Sequence, residues 1–246
     1  MDVTFDVVTE RVALHVDDSE SSMDALVARP DTDGRYPGVV VGFEIFGVTP
    51  YIQRMAERVA AAGYVAIVPD FYHRFGEGIV LSTDERERGL ELAGSLSRQQ
   101  ALADVTAALE FLAESPYSTG EAAMLGFSFG GHIAYLAATR LDLRAAVAFY
   151  PGWLTSDGIA LSRPEPTVES SKEISGRVLV LVGEDDHVID AVQRRVIADQ
   201  LGDRGEVVVY PDAPHGFACD DRETFHETSD KDAWDRVWRL LGDAFV

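Results

Sequence analysis

The sequence predicts an α/β fold: a mostly parallel central sheet with helices on both faces. Short apolar runs, most of them rich in valine, alternate with stretches of helical spacing about 10–15 residues long, the pattern of βαβ units. Gly38–Phe43 (GVVVGF) is continuously apolar, as strands buried on both faces are, and Tyr64–Asp70 (YVAIVPD) reads as a second buried strand. The 246 residues contain no internal repeat, low-complexity segment or linker, so one domain over 1–246 is expected.

The elements follow in order. Residues 3–8 and 10–16 alternate as two strands, and Met23–Ala28 reads as a third. After the strand at 38–43, Pro50–Ala62 has helical spacing and stops at Gly63, a C-terminal signal. The strand at 64–70 precedes a helical stretch over 84–114, interrupted near Gly94, whose stronger half is Leu96–Leu112. EAAMLGF (121–127) is a strand, Gly130–Arg140 a helix and LRAAVAFY (143–150) a strand. Residues 151–176 hold three prolines and no clear period, and read as a loop excursion. RVLVLVG (177–183) and GEVVVY (205–210) are strands, with a helix from about Ile189 to Leu201 between them and a closing helix over Lys231–Phe245.

Composition narrows the function classes. Twenty-one basic against 42 acidic residues give a net charge of -21, which repels phosphate backbones; no basic patch is visible, so no nucleic-acid partner is expected. Nineteen of the basic residues are arginine, a bias that fits a salt-adapted host or a GC-rich genome. No run approaches the ~18 apolar residues of a membrane span, so no membrane partner is expected. The first ten residues carry three acids and no basic cluster, unlike a secretory signal. A single cysteine, Cys219, excludes an internal disulfide, and a cytoplasmic location is the default. There is no H-E-x-x-H pattern, Walker loop or dinucleotide fingerprint, so no metal or cofactor is expected.

The motif that carries chemistry is Gly126-Phe127-Ser128-Phe129-Gly130-Gly131. It lies between a strand and a helix, the context that gives G-x-S-x-G its meaning. A serine there sits on a sharp turn that pushes its oxygen above the sheet, and flanking glycines let neighbouring chain pass closely. The next backbone N–H, that of Phe129, points toward a developing oxyanion. A serine hydroxyl needs a base. An acid cluster, Glu184-Asp185-Asp186, follows the strand at 177–183, and His215 follows the last strand, in the chain order serine, acid, histidine. Asp186 is the preferred acid, with Glu184 and Asp185 as alternatives. His132, at the start of the helix after the turn, reads as a packing or capping residue, and His187 as shaping the acid loop. Tyr150 and Trp153 are candidate apolar walls of a substrate pocket, with ordinary packing as the competing role.

Five segments together resemble the dienelactone hydrolase family of α/β-hydrolases: GFEIFGV (42–48), PDFYHR (69–74), GFSFGG (126–131), GEDDHV (183–188) and PHGF (214–217). The likeness runs from about residue 25 to the C-terminus. It implies the α/β-hydrolase fold, no cofactor, and cleavage of a small ester or lactone of the carboxymethylenebutenolide type. It implies that Glu44 lies beside the nucleophile, that the N–H groups of Ile45 and Phe129 form the oxyanion hole, and that Arg74 binds a substrate carboxylate. Two departures stand out. The family's usual nucleophile is cysteine, and here it is Ser128, which leaves the role of Glu44 open among orienting substrate, holding water and structure. Where dienelactone-cleaving members carry an arginine after the histidine, this chain reads FACDD (217–221), with Arg222 a little further on as a substitute. Cys219, near that place, lacks the turn around it and reads as a packing residue.

The expected chemistry is acyl transfer from Ser128 to water, with His215 as base and Asp186 orienting it. Two other classes use the same residues differently: an acyltransferase or cyclase, in which an internal nucleophile captures the acyl group, and a ligand-binding protein that kept the fold. A monomer or homodimer is expected.

Overall fold

The computed structural model describes residues 4–17, 19 and 22–246. Eight strands form one sheet: β1 (Val7–Leu14), β2 (Met23–Pro30), β3 (Tyr36–Gly42), β4 (Val65–Pro69), β5 (Ser118–Phe127), β6 (Ala145–Phe149), β7 (Arg177–Gly183) and β8 (Gly205–Tyr210). Their spatial order is β1-β2-β4-β3-β5-β6-β7-β8. The β1–β2 and β2–β4 pairs are antiparallel and every other pair is parallel. The helices are α1 (Pro50–Ala61), α2 (Arg86–Ser95), α3 (Arg98–Glu114), α4 (Phe129–Ala138), α5 (Ala191–Leu201) and α6 (Glu227–Ala244).

The period of two along a strand sorts the helices onto faces. Gly126 of β5 points at α4, where an added Cβ would lie 2.1 Å from the Gly130 carbonyl oxygen. The next residue, Phe127, points the other way, onto Tyr51 of α1 (5.5 Å between centroids) and Trp234 of α6 (6.4 Å). Arg58 ties α1 to α6 by lying 4.2 Å over the Trp234 ring. Trp234, Phe127 and Phe149 are all fully buried, and each such side chain contributes roughly 1.5–3 kcal/mol of hydrophobic stabilisation.

The pattern reading located the interior strands within three residues at each end and differed at three places. The two strands expected at 3–8 and 10–16 are one, β1, running through Thr9 and Glu10; Val3 lies outside the described residues. A sheet edge exposes those polar side chains at no cost, so they do not interrupt it. The break expected near Gly94 falls at Leu96 and Ser97, because Ser97 and Gln100 form a capping box that starts α3. The closing helix begins four residues earlier than expected, at Glu227, since its first turn is polar and carries no apolar period. The excursion at 151–176 contains two short 3-10 turns, Ala160–Ser162 and Thr167–Glu173. No described helix is long and apolar enough to cross a membrane.

The parallel register decides where the chemistry can be. Gly42 is level with Gly126, Phe127 with Phe149, Phe149 with Leu181, and Gly183 with Tyr210. The loops that leave β3, β5, β6, β7 and β8 therefore emerge along one edge of the sheet. That carboxyl edge is where open α/β sheets hold their ligands.

Candidate active site

Ser128 occupies the turn between β5 and α4 with φ 52 and ψ -109. A non-glycine residue in that region costs on the order of 1–3 kcal/mol and persists only where its surroundings enforce it. Here the enforcement is explicit. The Ser128 N–H donates to the Phe149 carbonyl (2.9 Å), the Gly130 N–H to the Phe43 carbonyl (2.8 Å), and the His132 N–H to the Ser128 carbonyl (3.0 Å). Gly130 passes so close to β3 that a Cβ would lie 2.3 Å from the Gly42 carbonyl carbon. Any side chain there would drive the turn off the sheet.

The Ser128 hydroxyl lies 2.9 Å from Nε2 of His215, and Nδ1 of the same ring lies 2.8 Å from Oδ2 of Asp186. The other oxygen of Asp186 accepts the N–H groups of Val188 (2.7 Å) and Ile189 (3.1 Å). A carboxylate so used is an acceptor on both oxygens, so Nδ1 carries the proton and Nε2 presents a lone pair to the serine. Of the three acids after β7, the structure brings Asp186 to the histidine; Glu184 and Asp185 are exposed. The N–H groups of Ile45 and Phe129 have no acceptor among the described residues. The Ile45 peptide is held from its other side, where its carbonyl accepts the Tyr72 hydroxyl (3.1 Å).

Glu44 follows β3 and is 3% exposed. Arg222 grips both of its oxygens, Nη2 to Oε2 at 2.5 Å and Nη1 to Oε1 at 3.1 Å, and lies 4.8 Å over the Phe46 ring. Burial pushes the Glu44 carboxyl above its ordinary value, and the charges of Arg222 and His215 pull it part of the way back. Burial works against the Arg222 charge, and Glu44, together with Cys219 and Tyr150, more than offsets that. Cys219 sits behind this pair, 1% exposed, its thiol pushed up to about 12 by burial and then by Glu44. It is the packing residue the sequence suggested.

A cavity of about 550 Å³ opens over Ser128 and His215. Glu44, Arg222, Trp153 and His187 line it, and so does Arg86. Arg86 begins α2, is exposed, and has no ion pair among the described residues. Two expected substrate contacts lie elsewhere. Arg74 does not reach the cavity; its Nη1 is 2.8 and 2.9 Å from the two oxygens of Asp104, a side chain with no exposure. Tyr150 is fully buried beneath His215, its ring edge-on to the imidazole at 5.0 Å. Trp153 does line the cavity, as expected. The sequence does not single out Arg86, because T-D-E-R-E-R (83–88) reads as one more polar helix start. Its only signal is the Ser82–Glu85 capping box, which marks the start of the turn just before it. Among the described residues no group of three His, Cys, Asp or Glu side chains is placed to hold a metal ion.

The model of the dienelactone hydrolase family matches residues 23–245. The chain belongs to that family. A Synechocystis protein provisionally named carboxymethylenebutenolidase is 33% identical over 227 residues, covering 87% of this chain and 89% of its own. The carboxymethylenebutenolidase of Pseudomonas putida is 28% identical over 86% of this chain and 87% of its own. A crystal structure from Klebsiella pneumoniae, provisionally named a dienelactone hydrolase, superposes with a TM-score of 0.86 at 30% identity, covering 96% of this chain and 99% of that one. The dienelactone hydrolase fold is thus the fold of this chain, from the strand β2 to the last turn of α6.

Proposed function

We propose that this protein hydrolyses a small ester or lactone bearing a carboxylate, through an acyl intermediate on Ser128. The observation that carries the reading is the continuous line Ser128 Oγ–His215 Nε2 (2.9 Å) and His215 Nδ1–Asp186 Oδ2 (2.8 Å), on a strained turn that opens into a cavity.

His215 takes the hydroxyl proton as the Ser128 oxygen attacks the carbonyl carbon. A serine alkoxide does not persist at neutral pH, so proton removal and attack occur together. The negative charge that develops on the carbonyl oxygen meets the unengaged N–H groups of Ile45 and Phe129 at the amino end of α4. The tetrahedral adduct collapses, His215 returns the proton to the departing alkoxide or enolate oxygen, and an ester of Ser128 remains. A water molecule then gives its proton to His215 and its oxygen to the acyl carbon. The acid leaves, and the hydroxyl of Ser128 is restored.

The charge of the cavity argues for an anionic substrate. The protein as a whole carries -21, yet this cavity is lined by two arginines and one carboxylate, and that carboxylate is taken by Arg222. Arg86 is left as a cation facing the cavity. The names of the relatives point the same way, since a carboxymethylenebutenolide is a lactone with a carboxylate arm. The test is intact mass after a fluorophosphonate. One adduct is expected on the wild type, none on S128A and a slow one on H215A. A wild type that stays unlabelled while binding small carboxylates would overturn the acyl-serine reading.

A further inference from the structure

His132 is a buried, titratable side chain that the chemistry above does not use. It lies one turn into α4 with no exposure, and both ring nitrogens are engaged by the excursion between β6 and β7. Nδ1 is 2.8 Å from the carbonyl oxygen of Gly152, and Nε2 is 2.7 Å from the hydroxyl of Thr167. A carbonyl only accepts, so Nδ1 carries the proton; Nε2 accepts from the threonine. Burial holds the ring neutral, its pKa lowered to about 3.

The peptide gripped by His132 precedes Trp153. The carbonyl on the other side of Trp153 is also held, by the Ser162 hydroxyl at 3.0 Å. Fixing the carbonyls before and after a residue fixes its backbone angles. Trp153 is accordingly kept at φ 60, a left-handed conformation that a bulky residue adopts only under constraint. Its side chain is thereby presented to the cavity above Ser128. The excursion behind it is tied to the helices at further points: Arg98 of α3 donates to the carbonyls of Leu161 (3.2 Å) and Glu165 (2.8 Å), and Arg140 donates to the Ser170 hydroxyl (2.9 Å).

We propose that His132 is a positioning residue: it pins the Gly152–Trp153 peptide, holds Trp153 as a wall of the substrate cavity, and so limits the bulk of the ester that Ser128 can attack. Because α4 also carries the nucleophile at its start, the wall and the serine are set from one rigid element. Releasing the pin lets Trp153 relax out of its strained conformation, and the cavity widens on that side. The proposal rests on the acyl-serine reading above.

The test compares kcat/KM for p-nitrophenyl acetate and p-nitrophenyl butyrate. The wild type is expected to prefer the acetate. In H132Q the acetate-to-butyrate ratio falls about tenfold, the size of effect that an ill-fitting apolar wall produces. The change lies in KM for the butyrate more than in kcat. T167V removes the hydroxyl on Nε2, which also accepts a long contact from Arg98 (3.5 Å), and shifts the ratio the same way, while T167S, which keeps the hydroxyl, retains the wild-type ratio; this pair decides the matter if H132Q does not fold. In a W153A background H132Q changes the ratio by less than about twofold, since the two act through one wall. The proposal fails if folded H132Q and T167V keep the wild-type ratio, or if the H132Q and W153A effects simply add. A wild type that hydrolyses neither ester and takes no fluorophosphonate is a different failure: it overturns the acyl-serine reading itself, and the selectivity with it.

Discussion

Arg222 and Arg74 each hold a buried carboxylate, yet one pair opens on the cavity and the other is closed. Arg222 is 23% exposed on Glu44, at the edge of the space over Ser128. Arg74 is 10% exposed on Asp104, which has no exposure and also meets Nε2 of His73 at 3.1 Å. Both pairs consist of an arginine from a loop and an acid that burial has pushed toward its neutral form. The difference is which elements bring them together. Glu44 leaves β3 at the carboxyl edge of the sheet, beside the Ser128 turn, so its partner lines the cavity. Asp104 sits in the middle of α3 and turns inward, so its partner is used up in packing a helix against the loop after β4. A buried ion pair is therefore a statement about place before it is a statement about function.

The widest break in this comparison lies between acids that hold arginine and the acid that holds histidine. Asp186→Asn keeps an acceptor for the Val188 and Ile189 amides but presents the wrong partner to Nδ1 of His215. We expect kcat to fall about 10⁴-fold, with the urea midpoint close to the wild type. Asp104→Ala is the converse. Removing one partner of a closed pair costs about 3–5 kcal/mol of stability, while the folded fraction retains its kcat/KM. An Asp104 variant that lost turnover at full stability would erase the distinction between the two pairs.

How much of this was legible in the sequence follows the same line. Ser128, Asp186 and His215 were readable because each follows a strongly apolar strand at the carboxyl edge, and strand ends are what patterning locates best. The parallel half of the sheet was readable for the same reason. The likeness of the segment at 69–74 implies a substrate role for Arg74, but a segment does not say which way a side chain turns after the strand ends. Tyr150 reads as a candidate wall or as ordinary packing, and the structure gives it the packing role, its ring fully buried beneath His215. Arg86 follows a capping box that marks a helix start and nothing more, and only the packing of α2 over the cavity reveals it.

The two cavity arginines sharpen the comparison from the other side. Arg86→Met removes a cation that has no described ion pair, so it disturbs no carboxylate. We expect KM for a carboxylate-bearing ester to rise about 10- to 100-fold, the worth of a charge-assisted hydrogen bond, and KM for a neutral ester of the same size to stay unchanged. Arg222→Met raises KM for the anionic ester as well, but it also leaves Glu44 buried without its cation and lowers the urea midpoint. Equal losses on neutral and anionic esters in both variants would remove the case for an anionic substrate.

The smallest effect is in the pH dependence of stability, and it separates the pairs without any substrate. Burial raises the carboxyls of Glu44 and Asp104 above their ordinary values of 4.5 and 3.8, and the neighbouring cations pull them back only in part. Between the ordinary and the raised value, the native state keeps a proton that the unfolded chain has released. Stability from these groups is therefore greatest below the ordinary value, falls as pH rises through the raised one, and is level above it. Urea midpoints taken from pH 4 upward should show this decline, and Glu44→Gln and Asp104→Asn should each flatten part of it. A non-hydrolysable carboxylate bound in the cavity brings negative charge to Glu44, which pushes its carboxyl further up and moves its share of the decline to higher pH. Asp104 is closed off from that ligand, so the part of the decline that Asp104→Asn removes should be the same with the ligand as without it. A ligand that moved both parts equally would mean that the two pairs are one electrostatic unit, and that the cavity reaches further behind β4 than its walls indicate.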